Sequence, residues 1–417
     1  MDNETYRLKV ESYFELLIGE GEKMHQDIQA ELEKLAMSPR KGRYFLRVVA
    51  TQKRFVQVHF YRHFMQHARH EDAFVDLERH IRHMFYEDRE DAKALLADVT
   101  EESTLPALFR VIALTEEGWL AGELIRIVLT LPSKELYAPI ARDLRSKNYL
   151  LQCLVIYLIG KAADEDLLDL LIGFYRKPEG EKVDRLEKKA LDALLEGARS
   201  IGPSVARRWL KDKSARIRAV ALVLLAEQMP PEAIPDLVGL FLVDPKTRLS
   251  IAKVLLAYEE AGLISWLPDA PLAQGAKSVL QGAKSGPLVA ILRNLMREES
   301  PVVRQVAAKL SSLAPISDEV ASQLRLLVTE DKVTAVQIAA LQALVIVDRG
   351  KLMSALVEIF AAESPKKDVY DAAAAITDQL GPKEKQILEQ GVRDRLAMRE
   401  VAMERVVSSV EWWRHDT

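Results

Sequence analysis

One pattern returns along much of this 417-residue chain: an acidic or polar turn, then a short Ala-rich amphipathic helix. It reads DKSARIRAVALVLLAE from Asp212, DPKTRLSIAKVLLAY from Asp244 and ESPVVRQVAAKLSSLA from Glu299. Further copies are DKVTAVQIAALQALV from Asp331 and SPKKDVYDAAAAITDQL from Ser364, with weaker ones from Gly118, Asn148 and Arg185. Clean neighbours are offset by about 32 to 33 residues, the length of one helix pair. A lone pair cannot bury its own apolar stripe, so such units must stack and share a continuous core.

Everything else in the sequence agrees with an all-α chain. Runs of alternating β-branched residues bounded by Asn-Gly or Asp-Gly turns are missing, while Leu, Ala, Glu, Lys and Arg dominate. Apolar residues recur three and four apart, as where Val303, Val306, Ala307, Leu310 and Leu313 share one helical face. Pro and Gly fall at segment ends, in GPSVARRW, AIPDLVG, SGPLVAIL and LGPKEK. Small residues such as Ala221, Ala307, Ala308, Ala339 and Ala340 would let second helices pack closely.

These segments resemble HEAT repeats, in particular the short bacterial kind named after the phycobilisome lyase HEAT-like proteins. The resemblance rests on the proline-led first helix (Pro235, Pro287), the acid at the turn (Asp212, Glu299) and Arg-x-x-Ala in the second helix. The last element is Arg218-x-x-Ala221 and Arg304-x-x-Ala307, and the resemblance covers roughly residues 105 to 390. It implies a right-handed α-solenoid with a long concave surface, and an Asp-Arg ladder between repeats. Val336 and Tyr370 stand where the family's Arg is expected, so the ladder should break there. The chromophore-lyase activity of some HEAT-like proteins finds no matching residues.

The expected organisation is a distinct N-terminal helical region over 1–104, a repeat array over 105–395 that is irregular at 263–286, and a capping helix over 396–417. The irregular part, SWLPDAPLAQGAKSVLQGAKSG, is an altered repeat or an inserted loop. Trp412 and Trp413 near the end suit a cap over the last repeat, or a docking surface.

A formal net charge of −4 gives no global sign of a nucleic-acid or membrane-surface protein. The single cysteine, Cys153, leaves no internal disulfide and no multi-cysteine zinc site. No signal core opens the chain, and no apolar run reaches the roughly 20 residues of a membrane span. A soluble, cytoplasmic protein is expected.

Chemistry is sparse. The sequence contains no GxxxxGK[ST], GxGxxG or GxSxG, so no phosphate loop or nucleophile elbow is expected, nor any cofactor. His59, His63 and His67 are four apart, a spacing that places metal ligands on one helix face. Asp76, Glu78, Glu87, His80 and His83 follow closely enough to complete such a site from a second helix. Against that, a single helix over Arg43–His70 would put Phe45, Val49, Val56 and Phe60 on the histidine side, and packed histidines are the competing reading.

Charge is the stronger anomaly. Ser38 to His70 holds eight Lys and Arg and no acid, with aromatics interleaved. On one continuous helix Arg43, Arg47, Arg54, Arg62 and Arg69 gather on a single arc, suited to a phosphate backbone or an acidic protein. Glu71 to Glu102 supplies enough acid to neutralise that arc internally. A second basic cluster, Arg199 to Arg218, places Arg207, Arg208, Trp209, Lys211, Lys213 and Arg216 at a helix-pair turn, where a solvated turn is the plainer reading.

The functional reading is a non-enzymatic scaffold or adaptor that binds a partner, a protein first, on the concave face of the array. The alternatives are a nucleic-acid-binding solenoid using the 38–70 and 199–218 clusters, and a metal-binding N-terminal helical domain. A small-molecule substrate is not expected.

Overall fold

The computed structural model describes residues 2–17, 24–36, 41–67, 79–80, 83, 105–114, 118–176 and 183–415. Among them there is no β-strand; the chain is all-α and forms two compact units, Met1–Gly202 and Pro203–Thr417. That division falls inside the segment expected to be one array. No described helix is long and apolar enough to cross a membrane.

The first unit opens with α1 (Asn3–Leu17), α2 (Gln26–Ala36), α3 (Gly42–Val49) and α4 (Arg54–His67). Their core is aromatic: Phe14, Phe45 and Phe60 meet mutually at 5.3 to 5.6 Å between centroids, and Phe64 sits 5.8 Å from Phe45. All four are buried. Helix pairs follow: α5 (Leu105–Leu114) with α6 (Gly118–Leu129), α7 (Ser133–Asp143) with α8 (Tyr149–Ala162), and α9 (Glu165–Arg176) with α10 (Val183–Ile201). First helices stack α5 on α7 on α9, second helices α6 on α8 on α10, and α4 packs on α5.

Local chemistry sets these boundaries. Asn148 caps α8 by accepting from the amides of Leu150 and Leu151, at 2.9 and 3.4 Å. Asp164 does the same ahead of α9, accepting from Asp166 and Leu167. A close helix approach runs through Gly160 of α8, where a built Cβ would lie 2.9 Å from Ala193 Cα and 3.1 Å from its carbonyl oxygen in α10.

The second unit repeats the plan. Its pairs are α11 (Pro203–Leu210) with α12 (Ala215–Gln228), and α13 (Ile234–Val243) with α14 (Arg248–Glu260). After a lone helix, α15 (Gln274–Gly282), come α16 (Ser285–Leu295) with α17 (Pro301–Ser311) and α18 (Asp318–Glu330) with α19 (Thr334–Val347). The last are α20 (Arg349–Phe360) with α21 (Lys367–Asp378), then α22 (Pro382–His415).

Second helices form one continuous layer, α12 on α14 on α17 on α19 on α21. First helices stack in two runs, α11 on α13 on α15, and α16 on α18 on α20 on α22. This two-layer stacking is the HEAT-like arrangement expected from the repeats, and neighbouring layers share one core of Leu, Val, Ile and Ala.

Residues 263–284 carry one α-helix, α15, where the neighbouring stretches carry pairs. This helix lies on α13, with Gly275 against Pro235. The second-helix layer skips it: α14 packs directly on α17, tied by Lys309 to Glu259 at 2.5 Å and by the Ser312 hydroxyl donating to the Trp266 carbonyl at 2.5 Å.

Candidate partner-binding surfaces

The turn edge of the second unit carries the Arg-acid ladder. Arg218, fourth residue of α12, donates Nε to Asp244 Oδ2 at 2.9 Å and turns Nη1 to the carbonyls of Asp212 and Lys213. Arg304, fourth residue of α17, repeats this on Asp331 at 2.7 Å and on the carbonyls of Glu298 and Glu299. Across α15, Arg248 reaches Glu298 at 2.9 Å. Arg218 and Arg304 thus satisfy the carbonyls of their own turns and grip the acid of the next, while Arg248 donates Nε to the Phe241 carbonyl of α13 at 3.1 Å.

The expected break lies one residue later than the sequence register places it. Glu298, not Glu299, is the acid in the ladder, so the position equivalent to Arg304 is Gln337; Val336 is buried core. There the link reverses. Lys366, from the following turn, donates back to Gln337 Oε1 at 2.9 Å and to the Lys332 carbonyl at 2.7 Å. At the next repeat Tyr370 replaces the Arg and stands edge-on to Phe360, 5.1 Å between centroids.

Burial works against the Asp331 and Asp244 carboxylates, but Arg304 on the one and Thr247, the Lys246 amide and Arg218 on the other hold both below the usual aspartate range. A carboxyl depressed in the folded state contributes stability above its unfolded pKa and loses it as pH falls through the folded value. The second unit is therefore expected to weaken as pH drops below about 4. Denaturation midpoints at pH 7 and pH 3.5 check this. Asp331→Asn should reduce the pH dependence, and an undiminished dependence in that variant would contradict the assignment.

A single helix over Arg43–His70 is replaced by α3, a turn at residues 50–53 and α4. Thr51 Oγ1 and Gln52 Nε2 donate to the Val48 carbonyl, while Gln57 Nε2 reaches back to the carbonyls of Ala50 and Gln52. Polar side chains satisfying the carbonyls at the end of α3 end that helix there. Arg43 and Arg47 are exposed on α3, Arg47 5.7 Å over the Tyr44 ring. Arg54 and Arg62 are half-buried on α4, with Arg54 bonded to Gln57 at 3.0 Å. Arg69 and the acids of Glu71–Glu102 lie outside the described residues. The interleaved Phe45, Phe60, Tyr61 and Phe64 are buried core rather than stacking platforms for bases.

Among the histidines, His59 is engaged by Glu33 of α2, 3.0 Å away, and by Gln29 Nε2 at 3.1 Å. Burial opposes the Glu33 carboxylate, yet the hydrogen bonds from Gln29 and His59 hold it below its usual range. His80 stacks on Tyr61, centroids 6.0 Å apart. Among the described residues no three His, Cys, Asp or Glu converge as metal ligands would; the side chain of His67, and Asp76, Glu78 and Glu87, lie outside them. The acid facing His59 comes from α2, a pairing with no signal in the local sequence.

In the second basic cluster Trp209 is only 2 % exposed and belongs to the core, which removes it from any contact surface. Arg207 and Lys211 both close on Asp236 of α13 at 3.1 Å. Arg208, Lys213 and Arg216 are exposed.

The two layers of the second unit present different chemistry. First helices are laced by ion pairs to the next first helix: Arg207 to Asp236, Arg293 to Glu319, Arg325 to Glu358 and Lys351 to Asp318. The outward positions of the second-helix layer include Ala219, Val223, Leu249, Ala335, Tyr370 and Ala375, with Val223 45 % and Leu249 44 % exposed.

No family model matches this chain, and no curated protein does. Solved structures with similar helical arrays do. Kap121p covers 98% of this chain and 51% of its own at 12% identity and a TM-score of 0.35. Kap95p, in the structure with RanGDP, covers 90% and 50% at 14% identity and a TM-score of 0.32. Importin beta in an ammonium sulfate condition covers 93% and 56% at 13% identity and a TM-score of 0.29. The chain thus spans about half the length of these structures, and likeness at this level says nothing of activity or partner.

Proposed function

We propose that this chain is a non-enzymatic scaffold or adaptor that binds a partner protein on the outward face of its second-helix layer. The contrast between the two layers carries the reading. Ion pairs between neighbouring first helices engage Arg207, Asp236, Arg293, Glu319, Arg325 and Glu358, whereas the second-helix layer, where Lys309 joins Glu259, exposes Val223, Leu249 and alanines beside Arg216 and Lys253, a mixed surface that a protein can cover. Exposed Arg43, Arg47, Arg208, Lys213 and Arg216 would act at longer range, raising the encounter rate with an acidic partner. Nucleic-acid binding through the 38–70 cluster keeps only the half-buried Tyr44 and Phe55 as stacking surfaces, since Phe45, Phe60, Tyr61 and Phe64 are buried.

A pull-down from the native host with Val223→Arg/Leu249→Arg tests this against Ile316→Arg, an exposed position between α17 and α18. The double variant should lose the proteins that the unmodified chain retains, and Ile316→Arg should keep them. Retention by the double variant would refute the face assignment. Capture of nucleic acid alone, vanishing between low and physiological salt, would favour the alternative.

A further inference from the structure

At the last two pairs the turn edge opens into a cavity of about 500 Å³, lined by the ends of α18 and α20, the turn before α21, and α22. Its lining includes the apolar Val328, Ile359 and Val369 and the cations Lys366, Arg395 and Arg399. Two acids are also present, and both are already matched. Glu358 holds Arg325 at 2.8 Å, and Glu363 holds Arg399 at 2.7 Å.

The cations are less fully matched. Arg395 makes no hydrogen bond or ion pair among the described residues. Lys366 is bonded to the carbonyls of Asp331 and Lys332 and to the Gln337 amide oxygen, and its charge also stabilises the Asp331 carboxylate that Arg304 grips. The lining therefore sets three cations against two acids, with Arg395 the one that no acid meets among the described residues.

We propose that this cavity binds a short acidic segment of a partner protein, an aliphatic side chain meeting Val328, Ile359 and Val369 and a flanking carboxylate meeting Arg395. An extended segment fits better than a compact ion because the lining combines cations with apolar side chains. The site is distinct from the second-helix face, so Val223→Arg/Leu249→Arg leaves its lining intact and the two readings fail separately.

The test is fluorescence anisotropy on the full chain at low salt, with a labelled eight-residue peptide of alternating glutamate and leucine as probe. A lysine and leucine peptide of equal length is the control. The acidic peptide should bind and the basic one should not. Arg395→Glu should weaken binding at least tenfold and Arg395→Lys about twofold, while Lys253→Glu, an exposed charge change on α14, leaves it unchanged. Circular dichroism checks that each variant is folded. No binding of the acidic peptide, equal binding by Arg395→Glu, or an equal loss in Lys253→Glu would overturn the proposal. So would a short single-stranded oligonucleotide that displaces the peptide and itself loses affinity in Arg395→Glu, because the cavity would then belong to phosphates.

Discussion

Arg304→Met is expected to destabilise the second unit by about 3 kcal/mol, read as a fall in the urea midpoint at unchanged slope. The guanidinium side chain is 15% exposed and the Asp331 carboxylate 5% exposed, so water cannot replace the lost partner well. Three groups are stranded together: the carboxylate and the carbonyls of Glu298 and Glu299. Adding Asp331→Leu removes the largest of these penalties, and the double variant should recover a good part of the loss. Equal loss in single and double variants would show that Arg304 acts through its packing rather than its charge. Lys366 offers only partial rescue: its charge stabilises the Asp331 carboxylate, but its ammonium is already bonded to the carbonyls of Asp331 and Lys332 and to Gln337 Oε1.

Gly160→Val should cost the first unit about 3 kcal/mol, and Gly160→Ala about 1 to 2. Two effects oppose each other in the alanine variant. Removing a glycine from a helix interior gains up to about 1 kcal/mol in propensity. The new Cβ, however, meets backbone as well as side-chain atoms of Ala193 within about 3 Å, and backbone cannot rotate aside. Gly173 of α9 is the control, since it is exposed and nothing lies within 4 Å of its built Cβ. Gly173→Ala should stabilise slightly by the propensity term alone. Equal effects at the two sites would show that α8 and α10 can part without loss.

The N-terminal region shows where periodicity misleads. Residues 43–67 keep a helical hydrophobic pattern throughout, so a projection on one axis places the arginines on one arc. The pattern persists because α3 and α4 both turn apolar faces to the same aromatic core. The break between them depends on Gln57 and Gln52 meeting freed carbonyls, which composition does not announce. In the same way Trp209 looks like a contact residue in a basic cluster, whereas its ring faces the core of its repeat.

The ladder shows the opposite case with one slip. Arg218 and Arg304 were legible as recurrent residues at a fixed offset from a turn acid. Their bonds to Asp244 and Asp331 follow from that repetition. The register at the third position was off by one because two adjacent acids, Glu298 and Glu299, could each serve as the reference, and only the contact with Arg248 distinguishes them.

Repetition, helical periodicity and Pro or Gly punctuation were enough to settle an all-α chain of stacked pairs, because each of these is a local preference summed over many copies. What required the tertiary structure was every pairing between residues distant in sequence: Glu33 with His59, Lys366 with Gln337, Arg248 with Glu298 across α15, and the lining of one cavity, where Arg395 meets no acid among the described residues. Such contacts depend on which faces oppose each other after stacking, and a one-residue change of register moves a side chain by about 100° around its helix.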